Sequence, residues 1–280
     1  MNREDGVAAG MNEPSGRTDA DPIRALAAAV GLTLAGVLGA EVATIPALVA
    51  DPGLAGDRPD QVAIEIRTAF LVLNFLGMAA VGALYLHLTG RGRDFLDLYW
   101  PNKRDWGYAL GATAAVLGIY VVATVLITIL DLPAADNQIV AFIGDDTTMV
   151  LVMIVVVFLF NAPAEEFLFR NVIQKRLYEA FTRMGAVVVT SVIFALVHFP
   201  VFYVLADSVA AAATPVTILF TGSIVFGYAY VRTENLVVPT FAHAVYNAAI
   251  FGLLYVSMVT DLEGPETVGG LVSVATVGLG

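Results

Sequence analysis

Two adjacent carboxylates, Glu165 and Glu166, lie in FNAPAEEFLFR, and one imidazole, His198, lies in VIFALVHFP. A second imidazole, His243, stands four residues before Asn247 in TFAHAVYNAAI. The surrounding residues are otherwise apolar enough for hydrocarbon. A charge at mid-bilayer costs a few kcal/mol even on permissive insertion scales, so such residues mark function and imply a partner nearby. Residues four apart share a helical face. Glu166 and Arg170, Phe194 and His198, and His243 and Asn247 all have that spacing. An ion pair between Glu166 and Arg170 would hold one carboxylate fixed and leave Glu165 free to face a water. Two imidazoles that orient water or bind metal, and an amide that donates to an oxyanion, complete a set suited to hydrolysis.

The elements that must position these groups are membrane helices. Of the 280 residues, 58% are hydrophobic and only 14% charged, and the mean hydropathy is +0.80. Crossing about 30 Å of hydrocarbon at about 1.5 Å per residue takes roughly 20 apolar residues. Seven stretches suffice, near residues 23–50, 63–89, 106–130, 148–173, 185–205, 213–231 and 236–260. The expected fold is an all-α polytopic bundle with a polar intramembrane cavity. Residues 267–280 are apolar but short, and an eighth span there ranks second. Residues 1–22 read as a disordered cytoplasmic lead-in without the apolar core of a cleaved signal peptide. Residues 23–280 then form one transmembrane domain, with the motifs concentrated in about 147–260.

Lys and Arg collect in cytoplasmic loops. Here they gather before the first span and after the second, fourth and sixth, whereas residues 131–147, 206–212 and 261–280 contain none. The N-terminus is therefore expected in the cytoplasm of a multi-pass cell-membrane protein. Lys175, Arg176 and Arg183 read as topology anchors. Counting from the basic residues at the cytoplasmic ends puts Glu165, His198 and His243 at depths of roughly 15, 22 and 16 Å. Three helices thus carry polar groups to a similar level in the cytoplasmic half. Pro163, Pro200 and Pro239 lie close to these residues, and local opening of the three helices would admit water.

The composition also excludes functions. An excess of 25 Asp and Glu over 14 Lys and Arg argues against nucleic-acid partners, which need a basic surface. The absence of Cys removes disulfides, thiolate metal sites and cysteine nucleophiles.

EEFLFR (Glu165 to Arg170), FALVH (Phe194 to His198) and HAVYN (His243 to Asn247) resemble the EExxxR, FxxxH and HxxxN motifs of the CPBP intramembrane proteases, in the same order on successive helices. That family includes the CAAX prenyl endopeptidases of the Rce1 type. DLYW (Asp97 to Trp100) is also similar to it, and the resemblance spans about residues 90–260. It implies an intramembrane endopeptidase that hydrolyses a peptide bond with a glutamate-activated water. Glu165 would be the base and Glu166 its companion held by Arg170. His198 and His243 would position water or metal, and Asn247 would stabilise the oxyanion. A Zn2+ ion on Glu165, His198 and His243 and a metal-free water are both compatible. The implied partners are the lipid bilayer and a peptide or membrane-protein substrate, lipidated or not.

Blander readings stand beside this one. Glu166 with Arg170 alone reads as a structural ion pair, His198 and Asn247 singly as interhelical hydrogen bonds, and Phe194 as a wall. A proton-coupled transporter would also carry Glu and His at mid-membrane, but no internal repeat is visible. A non-proteolytic scaffold or immunity-type relative would have lost a motif residue, and this chain has lost none. A serine protease built from Ser223 with His243 is a weak reading, because Ser223 lacks a GxSG setting and the glutamates go unexplained, and no GxGD of aspartyl intramembrane proteases occurs.

Overall fold

The structure, a computed structural model, describes residues 21–135 and 138–260. The expected lead-in at 1–22 lies almost wholly outside the described residues, and an eighth span at 267–280 lies outside them entirely. Every regular element among the described residues is helical. Seven helices are long and apolar enough to span a membrane. They are α1 (Pro22–Ala50), α2 (Ile64–Leu88), α3 (Lys103–Leu130), α5 (Thr147–Leu177), α6 (Arg183–Val204), α7 (Val209–Thr233) and α8 (Val237–Thr260). The short α4 (Gln138–Ile143) precedes α5. All fourteen span ends lie within four residues of those read from the sequence.

Local chemistry explains where the helices begin. Asn102 and Asp105 form a reciprocal capping box at the start of α3, and Asp146, Thr182 and Ser208 accept backbone N–H groups at the starts of α5, α6 and α7. These side chains satisfy donors that a helix cannot pair internally. The interiors are held by packing. α1 pairs with α2, α6 with α7, and α8 packs against α3, α5 and α7. At the α1–α2 contact a Cβ on Gly77 would lie 2.3 Å from the carbonyl oxygen of Gly39, so the glycine is required by close backbone approach.

α5 and α8 are the most buried of the seven spans, consistent with polar side chains turned away from lipid. α5 separates two apolar clusters, one built around Met149, Met153 and Val156 and the other around Leu168, Val172 and Ile173. Its winding is uneven: Val157–Asn161 and Phe167–Gln174 are π-helical and flank an α-helical Ala162–Glu166. Wide turns of this kind re-aim side chains and recur at functional sites.

The prolines behave less uniformly than expected. Pro200 lies inside α6 and Pro163 sits beside a wide turn of α5. Pro239 falls in the first turn of α8, where no preceding carbonyl awaits its N–H, so it opens nothing.

Arg67 is a buried charge that the sequence reading passed over. It is 3% exposed and binds the carbonyls of Phe142 and Ile143 and the Asp146 carboxylate at 2.6 Å. It ties α2 to the α4–α5 connection.

Candidate active site

The two wide turns of α5 bracket Glu165 and Glu166, which are 4% and 0% exposed. Glu166 accepts from Arg170 Nε at 2.9 Å, one turn along the same helix. Arg170 Nη2 reaches across to Ser223 Oγ on α7 at 2.9 Å. Ser223 in turn donates to Ser191 on α6, so the hydroxyl raised as a serine nucleophile supports the arginine instead.

Glu166 Oε1 lies 3.0 Å from His243 Nδ1 on α8. A carboxylate only accepts, so Nδ1 carries the proton and Nε2 presents its lone pair. Asn247 Nδ2 donates to that Nε2 at 3.2 Å and to Asn161 Oδ1 at 2.9 Å. Asn161 Nδ2 completes the path by donating to Glu165 Oε1 at 2.7 Å. The donor directions therefore run consistently from Arg170 and His243 onto Glu166, and from Asn247 through Asn161 to Glu165. Phe226 stacks on the His243 ring at 5.0 Å between centroids, fixing its plane.

The second oxygen of Glu165 is different. Oε2 is buried and makes no hydrogen bond, and the nearest basic atom is His243 Nε2 at 3.9 Å. Glu165 opens onto a cavity of about 230 Å³ whose wall also includes Asn161, His198 and Asn247. Buried polar atoms are normally paired with protein or ordered water. An unpaired carboxylate oxygen on the wall of a polar-edged cavity is the natural seat for a water.

His198 reaches this cavity from α6. Its Nδ1 donates to the Phe194 carbonyl at 2.7 Å, leaving Nε2 as the ring's remaining hydrogen-bonding atom. Phe194 is buried against Phe169 and His198, with ring centroids 4.9 and 4.6 Å away. The structure thus brings Glu165, Glu166, Arg170, His198, His243 and Asn247 into one region.

Two features were not foreseen. Asn161 links Glu165 to Asn247, and its signal was present as the residue four before Glu165, on the same face. Asn247, the amide expected to face an oxyanion, has its Nδ2 against Asn161 Oδ1 and His243 Nε2 and so also orients those groups. The zinc set also does not assemble: among the described residues, no three His, Asp or Glu side chains are grouped to hold a metal ion. Glu165, His198 and His243 therefore do not fit a Zn2+ site as they stand.

At the basic ends of α5 and α7, Asp97 of the DLYW segment adopts a left-handed backbone with φ of 48°. Its carboxylate accepts from Lys175 Nζ at 2.7 Å and Tyr230 OH at 2.6 Å. The segment is a clasp that holds the α2–α3 connection over the site helices.

No curated protein and no solved structure matches the chain. A family model described as type II CAAX prenyl endopeptidase Rce1-like matches residues 147–249. That stretch runs from the first turn of α5 into α8 and contains the EEFLFR, FALVH and HAVYN residues, so this part of the seven-span helical chain is similar to the Rce1-like family.

Proposed function

We propose that the protein is an intramembrane endopeptidase that hydrolyses a peptide bond with a water activated by Glu165. The observation that carries this reading is the unpaired Glu165 Oε2, buried yet facing a cavity that His198 and Asn247 share. A water bound there would give its proton to Glu165 while its oxygen attacks the substrate carbonyl. Glu165 would then return the proton to the departing amine, acting as base and then acid. Glu166, fixed by Arg170, orients His243, and the Asn247–Asn161 pair orients Glu165. The basic loops support placement of the site in the cytoplasmic half of a cell membrane, with the N-terminus inside.

A purified full-length chain in detergent, offered a library of transmembrane and juxtamembrane peptides, tests this. Wild type should cleave, and Glu165→Gln should lose about 100-fold or more of that rate, the usual span for removing a general base. Equal cleavage by both would refute the assignment of Glu165.

A further inference from the structure

A second, larger cavity of about 630 Å³ lies between α2 and α5 and meets the catalytic cavity at Phe75, the one residue that lines both. α2 walls it with Phe75, Leu76, Ala79, Ala83, Leu86 and His87. These positions recur at helical spacing, so one face of α2 forms a trough from mid-span to its C-terminal end, about 18 Å at about 1.5 Å per residue. Ala79 and Ala83, one turn apart, leave the space that larger side chains would fill. α5 supplies the facing wall with Leu159, Pro163 and Phe167. Leu76 and Leu159 are 49% and 62% exposed, so the trough opens sideways, toward the lipid of a membrane.

Its polarity is one-sided. Among the lining residues only His87 and Arg91 are polar, and both stand at the end of α2 where basic residues gather. Arg91 is held there by two rings, with its guanidinium 4.4 Å from the centroid of Phe95 and 5.8 Å from that of Tyr85. Its contact with Glu179 is loose, at 3.4 Å, and the other oxygen of Glu179 is held by Arg176. The Arg91 side chain stays 29% exposed, which leaves guanidinium N–H groups for a further acceptor. Lys175, over the same Phe95 ring, is committed to Asp97.

We infer that this trough binds an anionic phospholipid, with one acyl chain lying along α2 and α5 as far as Phe75 and the phosphate on Arg91 and His87. An apolar channel with cations at one end matches a hydrocarbon chain with an anionic head, and basic pockets between membrane helices hold acidic headgroups in this way. A guanidinium can pair two N–H groups with two phosphate oxygens. A zwitterionic lipid offers the same chain, but it brings its own cation up to Arg91 and His87. The trough therefore selects by headgroup.

The test titrates the purified full chain in detergent with dioleoyl phosphatidylglycerol and with dioleoyl phosphatidylcholine, reading retained lipid by native mass spectrometry beside the melting temperature. Wild type should hold phosphatidylglycerol about tenfold more tightly than phosphatidylcholine and melt higher in its presence. Arg91→Gln combined with His87→Gln should bring the two lipids to equal retention, and Arg91→Lys should keep part of the preference. Ala83→Phe, at an exposed position, fills the trough and should weaken both lipids. Arg93→Gln removes an exposed charge from the same connection but not from the trough wall, and should change neither. Inorganic phosphate and the chainless headgroup, glycerophosphoglycerol, should leave the melting temperature unmoved. Equal retention of the two lipids by wild type, a preference lost equally in Arg93→Gln, stabilisation by the chainless headgroup, or a protein dimer in place of bound lipid would each overturn the inference.

Discussion

Nδ1 of His243 on α8 lies 3.0 Å from Oε1 of Glu166 on α5, joining two residues 77 positions apart in the chain. This contact couples the Glu166–Arg170 pair to the His243–Asn247 pair and sets which ring nitrogen carries the proton. Glu166→Gln should therefore disturb both. It removes one partner of a buried, hydrogen-bonded ion pair, a change that costs about 3–5 kcal/mol. The melting temperature in detergent should fall sharply, and peptide cleavage should fall with it. A variant as stable as wild type would show that the Glu166 carboxylate is not what holds Arg170 and His243 in place.

Arg170→Lys retains the charge but not the fork. Arg170 uses separate nitrogens on Glu166 and Ser223, and a lysine ammonium on a flexible stem cannot reproduce that planar reach. Leaving a buried acceptor unpaired costs about 1–3 kcal/mol. Activity should drop at least about tenfold with a measurable loss of thermal stability, and full activity in Arg170→Lys would refute the need for the fork.

Asn161 has no role assigned from the motifs, yet it is the bridge from Asn247 to Glu165. Asn161→Leu should lower kcat about 10-fold to 100-fold, because Glu165 loses its only hydrogen bond among the described residues and with it a fixed orientation. Measuring kcat and KM separately checks this. An unchanged kcat would make the bridge a packing feature.

Chelation distinguishes the two ways of supplying the nucleophile. Since the donor set for a metal ion does not assemble, cleavage should persist after prolonged dialysis against EDTA. Activity that is lost on dialysis and restored by Zn2+ alone would bring Glu165, His198 and His243 back as ligands.

The Arg67–Asp146 clasp should respond to acid. Partial burial pushes the Asp146 carboxyl up, but the Met149 N–H and the Arg67 guanidinium outweigh this and hold it below the ordinary carboxylate range. A carboxylate with a depressed folded pKa contributes stability that is fully present above its unfolded value, about 3.9, and is lost as pH falls through the folded one. Thermal unfolding should therefore weaken below about pH 4 in wild type, and Asp146→Asn should be less stable at neutral pH with a shallower acid slope. Parallel acid slopes for the two proteins would remove the clasp from the account.

The span count was legible because hydrocarbon imposes a length and an apolar composition that can be read residue by residue. Residues 185–205, read as a span, became α6 at Arg183–Val204, a run apolar enough to stay helical through Pro200. The pairing of Glu166 with Arg170 was legible for a related reason, since both partners share one helix and their spacing sets their distance. Arg67 was missed because a charge three residues into α2 looks like a span edge, and only the fold shows that the α4–α5 connection closes over it.

By itself, the sequence determined the helical spans, the polar residues carried into them and the one-turn pairs on α5, α6 and α8, because these follow from backbone periodicity and from the exclusion of water by lipid. The tertiary structure decided that Glu166 meets His243, that Asn161 joins Glu165 to Asn247, and that Arg91 stands at the end of the trough between α2 and α5. Those contacts depend on how each helix rotates about its axis and on the two wide turns of α5. Rotation and winding are set by packing among all the helices together, which no local run of residues encodes.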